Sequence, residues 1–156
     1  MYIEINLLDK YLDWAKLKFR INARKKDIFP RRREIWWASL GQNVGVEING
    51  KNSQFERPVL VLRVFNTHSY LVVPITTNTK ENQYKYLFNN ELNQPNAVNL
   101  AQMRTISSKR FLRKLWVLGD TDFDKVVDMI VSIIKNGNPS LCGVSSELTI
   151  ASEQNK

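Results

Sequence analysis

Pro58-Val59-Leu60-Val61-Leu62-Arg63-Val64-Phe65, then Asn66-Thr67-His68-Ser69, then Tyr70-Leu71-Val72-Val73-Pro74-Ile75 is the stretch on which the fold turns. Two Val/Leu-rich runs bracket four polar residues, the pattern of antiparallel neighbours joined by a short hairpin loop. Working outward, residues 34–40 are aromatic and strand-forming, and further strands are expected at residues 84–88 and 96–103. Short strands joined by tight turns predict a mainly β fold, a small twisted barrel. Between the first two strands, residues 41–56 carry Gly41, Asn43, Gly45, Asn49, Gly50, Asn52 and Ser53. That composition resists regular structure and makes a long loop with a functional role.

Helices flank this β region. Over residues 7–24, Leu8, Tyr11, Leu12, Ala15, Phe19 and Ala23 recur at steps of three and four, predicting an amphipathic helix that packs on the domain or on a partner. Pro30 closes that appendage, because the residue before a proline disfavours helical geometry. Over residues 121–135, Phe123, Val126, Val127, Ile130, Ile133 and Ile134 share one face, acids open the run, and Asn136 and Gly137 stop it. The division is then a basic helical extension at 1–30, a β domain at 31–137, and a loose polar tail at 138–156.

The chain has 156 residues, 43% of them apolar, enough for one domain with a core. Its single cysteine, Cys142, excludes an intramolecular disulfide, and with His68 the only histidine there is no Cys/His zinc spacing and little room for a His-based triad. Neither a long apolar run nor a signal peptide is present, so the expected setting is cytoplasmic, with no membrane, no metal and no cofactor. The formal charge is +8. Lys16, Lys18, Arg20, Arg24, Lys25, Lys26, Arg31, Arg32 and Arg33 share a span with one acid, Asp27, and a second tract holds Arg104, Lys109, Arg110, Arg113 and Lys114. Interleaved with Phe19, Phe29, Trp36, Trp37, Phe111 and Trp116, these tracts suit a phosphate backbone and stackable bases, or else a solvated basic face around core aromatics. The charges on residues 1–30 are available to a phosphate backbone if the helix docks by its apolar stripe.

Four runs carry a resemblance: Arg32-Arg33-Glu34-Ile35-Trp36-Trp37-Ala38-Ser39-Leu40-Gly41-Gln42-Asn43-Val44-Gly45-Val46-Glu47, Arg57-Pro58-Val59-Leu60-Val61-Leu62, Val73-Pro74-Ile75-Thr76-Thr77, and Gln102-Met103-Arg104-Thr105-Ile106-Ser107-Ser108-Lys109-Arg110. In order and spacing, over about residues 31–135, they resemble the MazF/PemK toxin family. The resemblance implies a small SH3-like barrel with a C-terminal helix, here with an extra N-terminal helix, and a homodimer. It also implies a metal-independent endoribonuclease toxin that cuts single-stranded mRNA and is neutralised by a cognate antitoxin. The sequence departs from the pattern in its N-terminal extension, in a loop lengthened by residues such as 51–55, in Arg33 where many members have Gly, and in Val46 where Ser is common.

By that resemblance Arg57 matches the catalytic arginine, Thr76 the catalytic threonine and Glu47 the loop acid. The chemistry fits these residue types. An arginine fork holds two phosphoryl oxygens at once, a threonine hydroxyl donates to a phosphate oxygen, and a carboxylate can take the ribose 2′-hydroxyl proton. Thr77, Gln102, Arg104 and Arg32 complete the set as RNA-binding candidates, Gln102 through its amide on a base edge and Arg104 on phosphate or a base face. Two other readings stay open, a gyrase-poisoning toxin on the same barrel and an RNA-binding module that does not cut. Growth arrest with cleaved transcripts rather than trapped gyrase separates the first of them from the endoribonuclease.

Overall fold

Along residues 59–62 the side chains alternate between two faces, and all four are apolar, so a strand here must be covered on both sides. In the computed structural model, which describes residues 2–25 and 27–136, Val59, Leu60, Val61 and Leu62 are all buried. The elements are α1 (Tyr2–Asn22), β1 (Glu34–Ser39), β2 (Glu56–Asn66), β3 (Ser69–Thr76), β4 (Lys85–Asn89), β5 (Pro95–Asn99), β6 (Arg104–Ser107), β7 (Phe111–Val117) and α2 (Asp120–Asn136). Seven strands form one antiparallel sheet in the order β4-β5-β3-β2-β1-β7, with β6 paired to the start of β3. The fold is mainly β as expected, and the ladders leave the sheet open rather than closed into a ring. None of the described helices is long and apolar enough to cross a membrane.

The two faces have different cover. Leu60, Leu62, Val73 and Ile75 pack with Ile35, Phe88 and Val98 beneath Phe123 and Val126 of α2. On the other face Val59, Val61, Tyr70 and Val72 meet Ala38, Ile106 and Phe111. Those partners come from β1, β6 and β7 of the same sheet, so the sheet must curl to bring them together. Irregularities in the β2–β3 and β1–β7 pairings supply the extra twist. The β2–β3 turn is tighter than the four polar residues suggest: Asn66 pairs with Ser69, leaving Thr67 and His68 as the loop, and Asn66 Oδ1 accepts the His68 N–H at 2.9 Å.

Three expectations need correction. Residues 96–103 are not one strand; β5 stops at Asn99 and a single 3-10 turn, Leu100–Gln102, precedes β6. The basic tract from Arg104 to Lys114 is itself β6, a 3-10 turn at Ser108–Arg110 and the start of β7, and much of its charge is used in the fold. Arg113 forks onto both oxygens of Glu56 at 2.8 and 2.9 Å, Lys114 reaches Glu34 at 2.7 Å, and Arg110 donates to the Ser39 carbonyl at 2.9 Å. Finally, α1 does not dock by the stripe read from its periodicity. Trp14, Leu17 and Ile21 are buried with Phe55, whereas Leu8 and Phe19 are 58% and 75% exposed. The helix carries two apolar stripes on opposite sides, and the tryptophan side wins because Trp14 has a fitted seat. A Cβ at Gly41, whose φ is +100°, would stand 2.4 Å from the Trp14 ring, so only glycine lets the helix come this close. The tail at 138–156, with Gly137 before it, lies outside the described residues.

Arg33 is a residue in a glycine conformation, with φ +74°. Its guanidinium compensates, since Nε and a terminal nitrogen donate to the Leu118 carbonyl at 3.1 and 2.9 Å and another nitrogen meets the Asp120 carboxylate. It thereby ties the entry of β1 to the start of α2. Arg33→Ala loses the clamp and keeps the strain, while Arg33→Gly loses the clamp and relieves it. Denaturant unfolding should therefore place Arg33→Ala below Arg33→Gly by about 1 kcal/mol, and equal stabilities would show that no strain is held there.

Glu34 and Glu56 carry the stability of the sheet into the acid range. Burial pushes the Glu34 carboxyl up, but the Lys114 ammonium, the Arg31 N–H and the Trp36 indole together hold it below its ordinary value of 4.5. The Arg113 fork, against the opposing effect of burial, does the same for Glu56, which is 5% exposed. Both carboxyls are lower in the folded state than in the unfolded one. Their contribution is therefore complete above about pH 4.5 and is lost as the pH falls through the folded-state values. Urea midpoints measured from about pH 6 to about pH 3 should fall across the acid end, and Glu56→Gln should flatten that fall.

Candidate active site

The ladders set the site by register. Ala38 pairs with Arg57, Val59 pairs with Pro74, and the β2–β3 register continued by two residues sets Arg57 opposite Thr76. Val72 pairs with Arg104. Paired residues share a face and alternate residues return to it. Arg57, Thr76 and Arg104 therefore stand on the face of Val59, Val61 and Val72, at the polar rim of the curled core.

Arg57 is half-buried, and burial pushes its guanidinium below the usual value. Its Nε donates to the Asn49 carbonyl. Among the described residues no carboxylate pairs with it and its terminal nitrogens have no acceptor. The side chain is thus held by one nitrogen and presents the other two, a half-desolvated cation ready for an anion. Thr76 Oγ1 accepts the Asn78 N–H at 3.1 Å, which orients the hydroxyl and leaves its hydrogen to donate. Thr77 is exposed, one residue past the end of β3.

Residues 43–49 cover this rim as a tied loop. Asn43 N–H donates to Asn49 Oδ1 at 2.6 Å and Asn43 Nδ2 to the Ile48 carbonyl at 2.7 Å. Tyr11 of α1 donates to the Asn43 carbonyl at 2.8 Å. Gln102, from the 3-10 turn, accepts the Ile48 N–H at 3.0 Å and donates to the Val46 carbonyl at 3.2 Å. Its amide is therefore satisfied by the loop, and it meets a base edge only if the loop shifts. Glu47 is exposed at the loop turn, where its Oε2 accepts the Val44 N–H at 3.3 Å.

Arg104 is half-buried and close enough for its charge to add to burial in lowering the Arg110 guanidinium. Arg110 also lies over the Trp14 ring at 5.4 Å, so the N-terminal helix and the rim share a cation. Arg32 stands apart from this group. Its guanidinium lies 4.4 Å over the Phe123 ring of α2, and the next residue donates its N–H to Val61, which puts Arg32 some five residues along β2 from Arg57, roughly 16 Å. Tyr11, Asn43 and Asn49 are the parts that sequence reading missed. The i, i+3, i+7 spacing of Trp14, Leu17 and Ile21 was the one signal for the helix that delivers Tyr11.

A family model described as PemK-like, MazF-like toxin of type II toxin-antitoxin system matches residues 31–134. Among solved structures, MazF from Deinococcus radiodurans (form I) is 20% identical with a TM-score of 0.57, over 69% of this chain and 98% of that one. The MazE-MazF structure from the same organism (form II) gives 16%, 0.54, 70% and 98%. The Mycobacterium tuberculosis toxin MazF-mt6 gives 23%, 0.51, 65% and 96%. No curated protein matches the chain.

The Gln102 tie generates a direct test. Gln102→Ala removes two hydrogen bonds from the loop, and the Ile48 amide should exchange with deuterium roughly tenfold faster or more. Unchanged exchange would mean that the loop is held by its ties at Asn43 and Asn49 without help from Gln102.

Proposed function

Because the chain belongs to the PemK-like, MazF-like toxin family of type II toxin-antitoxin systems, we propose that it is an endoribonuclease that cuts single-stranded mRNA at the rim formed by Arg57 and Thr76. The observation that carries this reading is the arginine fork, unoccupied by any described carboxylate, on the face that the β2–β3 register, continued two residues, shares with Thr76. In the proposed step the ribose 2′-oxygen bonds to the adjacent phosphorus and the bond to the 5′-oxygen breaks. The products are a 2′,3′-cyclic phosphate and a 5′-hydroxyl. Negative charge grows on the phosphoryl oxygens in the transition state, and a cation already stripped of part of its water answers it without reorganisation. Thr76 donates a further hydrogen bond to those oxygens. Glu47, on the loop over the rim, takes the proton of the 2′-hydroxyl, and the departing 5′-oxygen is protonated from solvent.

Thr77, Gln102 and Arg104 line the path of the flanking nucleotides in this reading, and Arg32 meets the strand only at a distance. The chain acts as a homodimer in the cytoplasm. The MazE-MazF structure among its structural neighbours supports an antitoxin partner.

Purified protein should cut a long single-stranded RNA in excess EDTA, since every proposed role belongs to a side chain or to water. Arg57→Ala should lower the rate about 100- to 1,000-fold with the far-UV circular dichroism unchanged. Arg57→Lys should not restore it, because a point charge cannot copy the fork. Thr76→Val should also disable cleavage. Sequencing of 5′-hydroxyl RNA ends after brief induction reads the outcome in cells, and near-full activity of Arg57→Ala would sink the mechanism.

A further inference from the structure

We propose that the groove between α1 and the turn at residues 50–55 binds the phosphate backbone of the same RNA strand, upstream or downstream of the cut. The identity of the ligand rests on the RNA-cutting reading, whereas the groove itself does not. It has a volume of about 810 Å³ and is walled by Lys10, Lys16, Arg20 and Lys51, with Asp13 the one acid in its lining. These cations come from two segments far apart in sequence, and the docking of Leu17 against Phe55 fixes them around one concavity. Among the described residues Lys10, Arg20 and Lys51 have no side-chain acceptor. Lys16 shares Asp13 at 3.5 Å, but both side chains are about two-thirds exposed, so that pair neutralises little. Bringing four cations together with one acid raises the energy of the empty groove, and an anion relieves it.

The position of the groove selects the ligand. Gly50 lines it, and the neighbouring Asn49 carbonyl holds Arg57, so the groove begins one residue from the proposed cleavage rim. A strand lying across Arg57 has further phosphates to place on either side, and the groove offers cations at that distance. No exposed aromatic lines it for stacking, Phe55 being buried, so it reads charge and not bases. It therefore adds affinity for long transcripts and leaves the cleaved sequence unchanged. The groove depends on α1, which lies outside the matched residues 31–134. It is an addition of this chain to the family domain.

The test uses the full chain and a fluorescent 2′-O-methyl RNA, which lacks the attacking hydroxyl and cannot be cut. Binding is measured for single strands of about 5 and about 16 nucleotides, sizes that span one or several phosphate contacts. Lys10→Gln, Arg20→Gln and Lys51→Gln combined leave the Lys16–Asp13 pair intact. Three lost phosphate contacts should lower the salt slope for the long strand by about 2. Between about 50 mM and about 200 mM salt the wild type should then lose roughly 20-fold more affinity than the variant. The short strand should bind both proteins alike, and Lys10→Arg, Arg20→Lys and Lys51→Arg combined should keep the wild-type slope. An unchanged long-strand slope in a folded Gln variant would overturn the proposal. So would an unchanged RNA slope accompanied by weakened binding of polyglutamate, which would assign the groove to an acidic polypeptide. Wild-type protein that binds the long strand as expected yet cuts no RNA would refute the proposed function and leave the groove standing.

Discussion

The pairing of β2 with β3 is the constraint on which everything else rests. Because side chains alternate with period two, this one register decides that Leu60 and Leu62 go under α2 while Val59 and Val61 enter the curled face. The same register, continued two residues past its Val59–Pro74 pair, puts Arg57 and Thr76 on one face. A slip of one residue would exchange the two cores and send the arginine to the opposite face. The two-residue turn with its Asn66 tie prevents that slip, and the Glu56–Arg113 fork, next to Arg57, anchors the far end of β2 to β7. Structural charge and candidate functional charge thus sit at adjacent positions of one strand, the first neutralised and the second left open.

That division of labour runs through the whole basic surplus. Arg33, Arg110, Arg113 and Lys114 are consumed by carbonyls and carboxylates that hold strands and helices together. Arg57 and Arg104, with the cations around the α1 groove, keep open valences toward solvent. A positive net charge read from composition says nothing about which lysines and arginines belong to which group. The difference appears only once the buried acids Glu34 and Glu56 are seen to have claimed their partners.

How far the sequence could be read follows from this. The hairpin at residues 58–75 and the helix α2 were legible because apolar residues mark their buried faces without ambiguity. Strands β6 and β7 were hidden, since Arg104, Lys109, Arg110, Arg113 and Lys114 look like a solvated tract until the acceptors of Arg110, Arg113 and Lys114 on β1 and β2 are known. Helix α1 was legible as a helix, but its docking face was not. Two apolar stripes were on offer, and the choice was made by a fit between Trp14, Gly41 and Phe55, which are far apart in sequence. Arg57 and Thr76 could be picked out by motif alone. The satisfaction of Gln102 by the loop backbone could not, because it depends on a contact between residues 54 and 56 positions apart.

The loop over the rim is held largely by its main chain. Tyr11, Gln102 and Arg57 grip the carbonyls of Asn43, Val46 and Asn49 and the amide of Ile48, groups that nearly every residue type supplies. Side chains at Val44, Val46 and Glu47 can therefore change without releasing the grip, provided proline does not enter at position 48. A scaffold of this kind separates inheritance of shape from inheritance of preference. Mutation can explore new surfaces over the rim while the frame that presents them is passed on intact.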